Sequence, residues 1–197
     1  MNKHKPGSIC TFLMEKWSKT HMLAEAYILD IGCGKGAIGL QLNPYIAEYI
    51  GLDLNLEKEV VNAQKNRKFV CGRGEEMPFA NRTFDLLLFS MSWHLMENHW
   101  QALQEAKRVL KANGLVSILE VADDNENWKS KKLRKDNPLF DSDVYIHKIR
   151  LLQHGAYYLK IQQDFEIVEQ QTFGIPVPHE PPAMLKYWTL KPRAQLF

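Results

Sequence analysis

Residues 28–36 read Ile-Leu-Asp-Ile-Gly-Cys-Gly-Lys-Gly, and a second apolar run, Tyr49-Ile50-Gly51-Leu52, ends on Asp53. Few folds accommodate that pattern. Ile28, Leu29 and Ile31 suit a strand buried on both faces. Gly32, Gly34 and Gly36 supply a tight turn and bare backbone that a ligand can approach closely. Asp53 then falls at the end of the next strand, where a carboxylate can accept both ribose hydroxyls of an adenosine. The chain therefore opens like a nucleotide-cofactor loop.

Gly34-Lys35-Gly36-Ala37-Ile38-Gly39 also fits the dinucleotide fingerprint, with an acid about twenty residues further on, which keeps a nicotinamide or flavin enzyme in view. Asp30 weighs against it. A pyrophosphate at a helix N-terminus gains nothing from an extra carboxylate at the mouth of the first strand. A cofactor with an ammonium and a sulfonium does gain. S-adenosylmethionine fits both ends, its cationic methionyl head near Asp30 and its neutral adenosine on Asp53.

On these residues the chain resembles the class I S-adenosylmethionine-dependent methyltransferases. The resemblance continues through Gly72-Arg73-Gly74-Glu75-Glu76-Met77-Pro78-Phe79, Phe84-Asp85-Leu86-Leu87-Leu88-Phe89-Ser90 and Val109-Leu110-Lys111-Ala112-Asn113-Gly114, in the family's order and spacing, and covers roughly residues 25–121. It is similar to the small-molecule subgroup typified by ubiquinone/menaquinone-biosynthesis and biotin-pathway methyltransferases with a methyltransferase type 11 domain. The resemblance implies S-adenosylmethionine as cofactor, a small-molecule acceptor, and cofactor contacts from Asp30, Gly32, Cys33, Gly34, Gly36, Asp53, Leu54, Gly74, Glu75 and Ser90. Two positions depart from the family pattern. Arg73 stands where an acid often meets the adenine amino group, and Asn113 replaces a proline or glycine before Gly114. Backbone around Gly74 and Glu75 can still read adenine, and Asn-Gly still makes a turn.

With 197 residues, 45% of them hydrophobic, the chain can bury one good core, and no repeat or linker divides it. The expectation is one domain over residues 1–197, with a core at 25–121, a polar insertion at 122–142 and a C-terminal helix and strand pair at 143–197. A formal net charge of +2 gives no argument for an obligatory nucleic-acid partner. No apolar run reaches the length of a membrane span, and Met1–Pro6 leads into too short an apolar patch for a signal peptide, so a cytoplasmic protein is expected. Cys10, Cys33 and Cys71 lack paired spacing, which argues against a disulfide framework and against a metal site. Cys33 reads as a small residue in a crowded loop, with a redox sensor as the minor alternative.

Hydrophobic periodicity places helices at Ser8–His21, Gly36–Leu42, Glu57–Lys65, Trp100–Lys111 and Val144–Leu159. Strands are expected at Ile28–Ile31, Tyr49–Asp53, Lys68–Cys71, Phe84–Ser90 and Leu115–Val121, with an antiparallel pair at Phe165–Phe173 and Leu185–Leu190. Alternation of strands and helices predicts an α/β fold, a Rossmann-like doubly wound seven-stranded sheet that is mostly parallel with an antiparallel C-terminal strand. The first helix carries Ile9, Phe12, Leu13, Met14 and Trp17 on one stripe, read as core, with a lid over the cofactor as the alternative. The basic run at 129–135 reads as solvated charge, or else as a site for phosphate, RNA or acidic lipid.

Ligands of open α/β sheets collect beyond the carboxyl ends of the strands, so the loop Ser90-Met91-Ser92-Trp93-His94-Leu95-Met96-Glu97 faces the cofactor. Methyl transfer from a sulfonium is an in-line displacement whose main demand is alignment in a dry pocket. A hydroxyl or acidic-carbon acceptor also needs a base, and His94 has the intrinsic pKa for it, packing of the next helix being the bland alternative. Trp93 is the second candidate catalytic residue, its indole face suited to a cation, against a packing role. Trp128, His147, His154, Tyr157 and Tyr158 are candidates to roof an acceptor pocket, whereas His99 and Trp100 read as surface or packing residues. The loop lacks the polar-Pro-Pro-aromatic motif that holds a flipped base, which favours a small molecule and leaves a protein or tRNA acceptor open. A cofactor-binding protein without catalysis, acting through partners, and a nicotinamide-dependent oxidoreductase are the competing readings. Oligomeric state is not legible.

Overall fold

The computed structural model describes residues 9–56, 66–122, 156–177 and 180–193. In chain order the elements are α1 (Ile9–Trp17), β1 (Tyr27–Ile31), α2 (Ala37–Leu42), β2 (Glu48–Asp53), β3 (Arg67–Cys71), β4 (Phe84–Ser90), α3 (His99–Val109), β5 (Leu110–Val121), α4 (Ala156–Asp164), β6 (Phe165–Val177) and β7 (Glu180–Pro192). The strands form one seven-stranded sheet in the order β3-β2-β1-β4-β5-β7-β6. β1 to β5 pair in parallel, β7 runs antiparallel to β5, and β6 runs antiparallel to β7. β7 alone is reversed, as the sequence pattern predicts. Strand order reverses between β1 and β4, so the crevice beyond their carboxyl ends is the switch point where ligands of such sheets bind.

Why the central strands lack alternation follows from the two layers that cover them. On one face α1 and α2 bury Leu13, Trp17 and Leu42 against Ile28, Leu86, Leu88, Leu115 and Leu119. On the other, α3 and α4 bury Leu103, Ala106, Val109 and Ile161 against Leu29, Leu87, Phe89, Val116 and Ile118. A strand covered on both sides has no polar face to show. Each fully buried Leu, Ile or Phe adds roughly 1.5–3 kcal/mol. α3 shows the matching helical spacing, with Ala102, Leu103, Ala106 and Val109 buried and Asn98 capping its first turn through a bond from the Gln101 N–H at 3.0 Å.

The N-terminal helix is core, not lid: Trp17 is 1% exposed and its indole N–H donates to Ser117 Oγ on β5 at 2.9 Å. Ser117 Oγ lies 3.0 Å from the Tyr187 hydroxyl, so these three buried polar groups satisfy one another. β5 begins five residues earlier than the apolar run predicts. Leu110 pairs with Phe84 and Leu115 with Leu86, so five steps on β5 span two on β4 and the Lys111–Gly114 stretch bulges out. α4 continues to Asp164, past the expected end at Leu159, because Ile161 is buried and Asp164 accepts from Gln104 on α3 at 3.1 Å. The expected helix at 57–65, the basic run at 129–135, and Trp128, His147 and His154 lie outside the described residues. Among the described residues no helix is long and apolar enough to cross a membrane.

Candidate active site

The turn after β1 is held by its neighbour. The N–H groups of Gly32 and Cys33 both donate to the Leu52 carbonyl, at 2.7 and 3.2 Å, which sets the loop across the end of β2. Gly32, Gly34 and Gly36 have φ of 72°, 52° and 68°, the left-handed region that a Cβ disfavours. At Gly32 space is also decisive, since a Cβ there would stand 2.5 Å from Ser92 Cβ. That contact brings the β4 loop over the glycine loop, and the Ser92 hydroxyl donates to the Ile31 carbonyl. A Cβ on Gly34 would meet nothing within 4 Å, so this glycine faces open space.

Asp53 is fixed from two sides. Its Oδ2 accepts from the Gly34 N–H at 2.8 Å and its Oδ1 from the Asn55 N–H at 2.9 Å. Each oxygen keeps a further lone pair. Asp30 differs from the sequence expectation: it is 2% exposed and sits beneath the loop, not at its mouth. The Tyr49 hydroxyl donates to its Oδ2 at 2.6 Å, and Oδ1 is buried without a partner. Tyr49 reaches it because residue 39 is glycine; a Cβ there would fall 2.4 Å from the Tyr49 ring. Burial pushes the Asp30 carboxyl up to about 7, with Asp53 adding to the rise and the Tyr49 bond opposing it.

Gly32, Asp53, Leu54, Gly74 and Glu75 line one cavity of about 180 Å³, together with Leu52, Asn55, Gly72, Arg73, Leu95, Met96 and Glu97. Pockets that enclose a drug-sized ligand run to roughly 300–1,000 Å³, so this one suits a part of such a ligand, such as a nucleoside. Its far wall is electrostatically tied together. Glu75 Oε1 accepts from the N–H groups of Glu97 and Asn98, at 2.7 and 3.2 Å, at the start of α3. Arg73 pairs with Glu97 at 2.5 Å and lies 3.9 Å from Glu75. The Arg73–Glu97 pair was not foreseen from the sequence, although both residues stood in segments already singled out.

Cys33, Gly34, Gly36 and Ser90 do not line this cavity. Cys33 is half-buried, and burial, followed by Asp30 and Asp53, pushes its thiol up, which suits a small loop residue and not a reactive thiolate. Among the described residues no group of three or more His, Cys, Asp or Glu is placed to hold a metal ion. Trp93 requires a correction. It is 0% exposed, packs edge-on against Phe89 with centroids 5.0 Å apart and lies 5.5 Å from the His99 ring, so its indole belongs to the core and touches no ligand space. His94, on the same short turn, is 7% exposed. Its Nδ1 lies 3.0 Å from Glu120 Oε2, and its backbone N–H donates to Glu120 Oε1 at 3.2 Å. Glu120 escaped the sequence reading; its one signal is an acid inside the apolar run 115–121.

Residues 29–118 match the family model described as "Methyltransferase domain". The uncharacterized methyltransferase YcgJ of Bacillus subtilis is 34% identical over 104 residues, covering 49% of this chain and 41% of that protein. Demethylmenaquinone methyltransferase of Staphylococcus aureus is 27% identical over 157 residues, covering 75% of this chain and 61% of that protein. The chain thus spans less than two thirds of the length of these relatives. The structure of the plantazolicin methyltransferase BpumL in complex with SAH has the same fold, with a TM-score of 0.66 at 17% identity, covering 93% of this chain and 82% of that one. Sheet order, glycine loop and family match agree on a methyltransferase domain, matched over residues 29–118 of the chain.

Proposed function

We propose that the chain binds S-adenosylmethionine with its adenosine in the cavity at Asp53 and transfers the methyl group to a small-molecule acceptor. The observation that carries the reading is the pair of carboxylates flanking the glycine loop. Asp53 opens on the cavity with acceptor capacity for ribose hydroxyls, and Asp30 holds a buried oxygen without a partner, which suits a cationic ligand group and no phosphate. When bound, S-adenosylmethionine supplies an electrophilic methyl carbon on a sulfonium. The chain's own residues do the rest. Gly32 and Gly34 leave room for the ligand beside bare backbone, Leu52, Leu54, Leu95 and Met96 exclude water, and backbone at Gly74 and Glu75 faces the adenine end. Ser90 closes β4 behind the loop, and Cys33 and Gly36 shape the turn. His94 accepts a proton where the acceptor must lose one.

Small-molecule acceptors fit the relatives, since one is a methyltransferase of demethylmenaquinone. The test is calorimetric titration with S-adenosylhomocysteine, with NAD as control. Binding of the first alone is expected, and Asp53→Ala should weaken it by about 1–3 kcal/mol, the cost of unpaired ribose hydroxyls. Binding of NAD instead would overturn the reading in favour of an oxidoreductase. Cofactor binding with no turnover across a broad acceptor screen would favour a non-catalytic partner-binding role.

A further inference from the structure

We propose that a groove at the end of the sheet opposite the cofactor cavity is a docking site for duplex RNA, held through its phosphate and ribose backbone. The groove has a volume of about 1030 Å³ and opens where β4 and β5 begin and β7 ends. β4 is seven residues long, so at about 3.3 Å per residue its two ends stand roughly 20 Å apart. The RNA is accordingly a partner and not the methyl acceptor, and its binding is independent of the cofactor reading. Six cationic side chains line the groove: Arg82 from the loop before β4, Lys107 and Arg108 from α3, Lys111 from β5, and Lys191 and Arg193 from the end of β7. Three of them are spent inside the fold, Lys107 on Asp164, Arg108 on Glu105 and Lys111 on Asp85. Among the described residues Arg82 and Lys191 are in no ion pair, and Arg193 gives its Nε–H only to the carbonyls of Gln162 and Phe165. Cations that serve solubility alone gain by standing apart. Here segments distant in sequence bring them to one groove, in a chain whose formal net charge is only +2.

The backbone at Arg82 agrees with a use for its charge. Its φ is 55°, in the left-handed region that favours glycine and, at less cost, asparagine. Its N–H donates to the Arg108 carbonyl at 3.0 Å, which fixes it there. A long cation is thus kept where the geometry prefers other residues. The rest of the lining selects the occupant. It holds no aromatic side chain on which an unpaired base could stack, as single-strand sites do. None of the exposed large apolar residues belongs to it, as a membrane surface would need. Among the cations stand two acceptors, Glu166 and Gln104. Gln104 spends its Nε2 on Asp164 at 3.1 Å and keeps its carbonyl oxygen. A bare polyphosphate or a DNA backbone offers no proton to such groups, whereas RNA presents a 2′-hydroxyl beside every phosphate. Duplex RNA is recognised in this way, by phosphates and hydroxyls and by shape, without reaching base edges.

The experiment is fluorescence anisotropy of a labelled RNA duplex of about sixteen base pairs, titrated with the full chain between about 50 and about 200 mM salt. Affinity should fall with salt at a log-log slope of about −3, one phosphate for each of Arg82, Lys191 and Arg193. Arg82→Asn combined with Lys191→Gln should weaken binding at least about tenfold at the lower salt and flatten the slope by about 2. Asparagine accepts the left-handed backbone at 82, so this variant should melt no lower than the wild type. Lys19→Gln combined with Lys68→Gln removes the same charge from exposed positions outside the groove and should change affinity less than about twofold. The wild type should hold the RNA at least about fivefold more tightly than a DNA duplex of the same sequence, and Glu166→Ala should narrow that preference. Equal losses in the two double variants would reduce the effect to net charge and overturn the docking site. So would an RNA duplex that fails to bind at the lower salt. The assignment also falls if DNA, single-stranded RNA, polyglutamate or anionic phospholipid vesicles bind as tightly as the RNA duplex. S-adenosylhomocysteine affinity, measured in parallel, should be the same in all these variants; no binding of it by the wild type would refute the cofactor reading and leave the groove untouched.

Discussion

Raising the pH from 6 to 8 should tighten S-adenosylhomocysteine binding about tenfold, and Asp30 is the reason. Its carboxyl is pushed up to about 7 by burial. A cationic head binds the ionised form, and the apparent affinity scales with the ionised fraction, about one-eleventh at pH 6 and ten-elevenths at pH 8. The groups that face Asp30 are the Tyr49 hydroxyl, Asp53 and the thiols of Cys10 and Cys33. Burial raises both thiols, so neither titrates in this window. The sign for folding is opposite. A carboxyl raised from 3.8 to about 7 leaves the folded chain holding more protons than the unfolded one between those values. Stability is therefore lost as pH rises through that window, by roughly 4 kcal/mol if the whole shift is expressed. Asp30→Asn should remove both dependences, melting later than the wild type at pH 8 and binding with flat pH dependence. The assay is calorimetry at pH 6, 7 and 8 in buffers of differing ionisation enthalpy, with 5′-methylthioadenosine as a ligand that keeps the adenosine and lacks the cationic head. A flat profile for S-adenosylhomocysteine, or an equal slope for methylthioadenosine, would refute the reasoning.

Gly34→Val places a branched side chain at φ 52° where no atom stands within 4 Å, so it should cost about 1–2 kcal/mol in a thermal melt and abolish S-adenosylhomocysteine binding. Global unfolding would instead assign the residue to the fold. Arg108→Ala should lower urea stability by about 1–3 kcal/mol with little change in ligand affinity. Arg108 ties α3 to residues 77–81 through the carbonyls of Met77 and Phe79 and the Asn81 amide oxygen, besides Glu105. Unchanged urea midpoints would show those bonds to be replaced by water at no cost.

The features legible in sequence are those with short-range causes. β4 matches its expected bounds because the apolar run Leu86–Phe89 is flanked by Phe84 and closed by Ser90, and the reversal of β7 follows from two alternating segments after the last crossover. Asp53 was legible because an acid closing an apolar run marks the end of a strand. Trp93 was misread because periodicity cannot say which way a short turn aims a side chain. Glu120 was missed for a related reason: one acid within an apolar strand looks like the strand's polar end until the residue across from it is known. The Arg73–Glu97 pair needs the two ends of a 24-residue separation brought together, which the bonds from the Glu97 and Asn98 N–H groups to Glu75 do.

The β4–α3 connection shows how one short segment serves both halves of the proposed reaction. A three-residue-per-turn geometry at 93–95 sends neighbouring side chains about 120° apart. Ser92 goes to the glycine loop, Trp93 to the core and His94 to Glu120, while Leu95, Met96 and Glu97 turn to the cavity. The buried Trp93 is then not idle. Held against Phe89, it sets the rotation of the turn and with it the direction of the imidazole. Glu75 holds the other end of the same segment by its two bonds to residues 97 and 98. A connection anchored at both ends and in the middle cannot shift its cavity residues without shifting His94. The alignment of donor and acceptor that in-line transfer demands is thereby built into a single stretch of backbone.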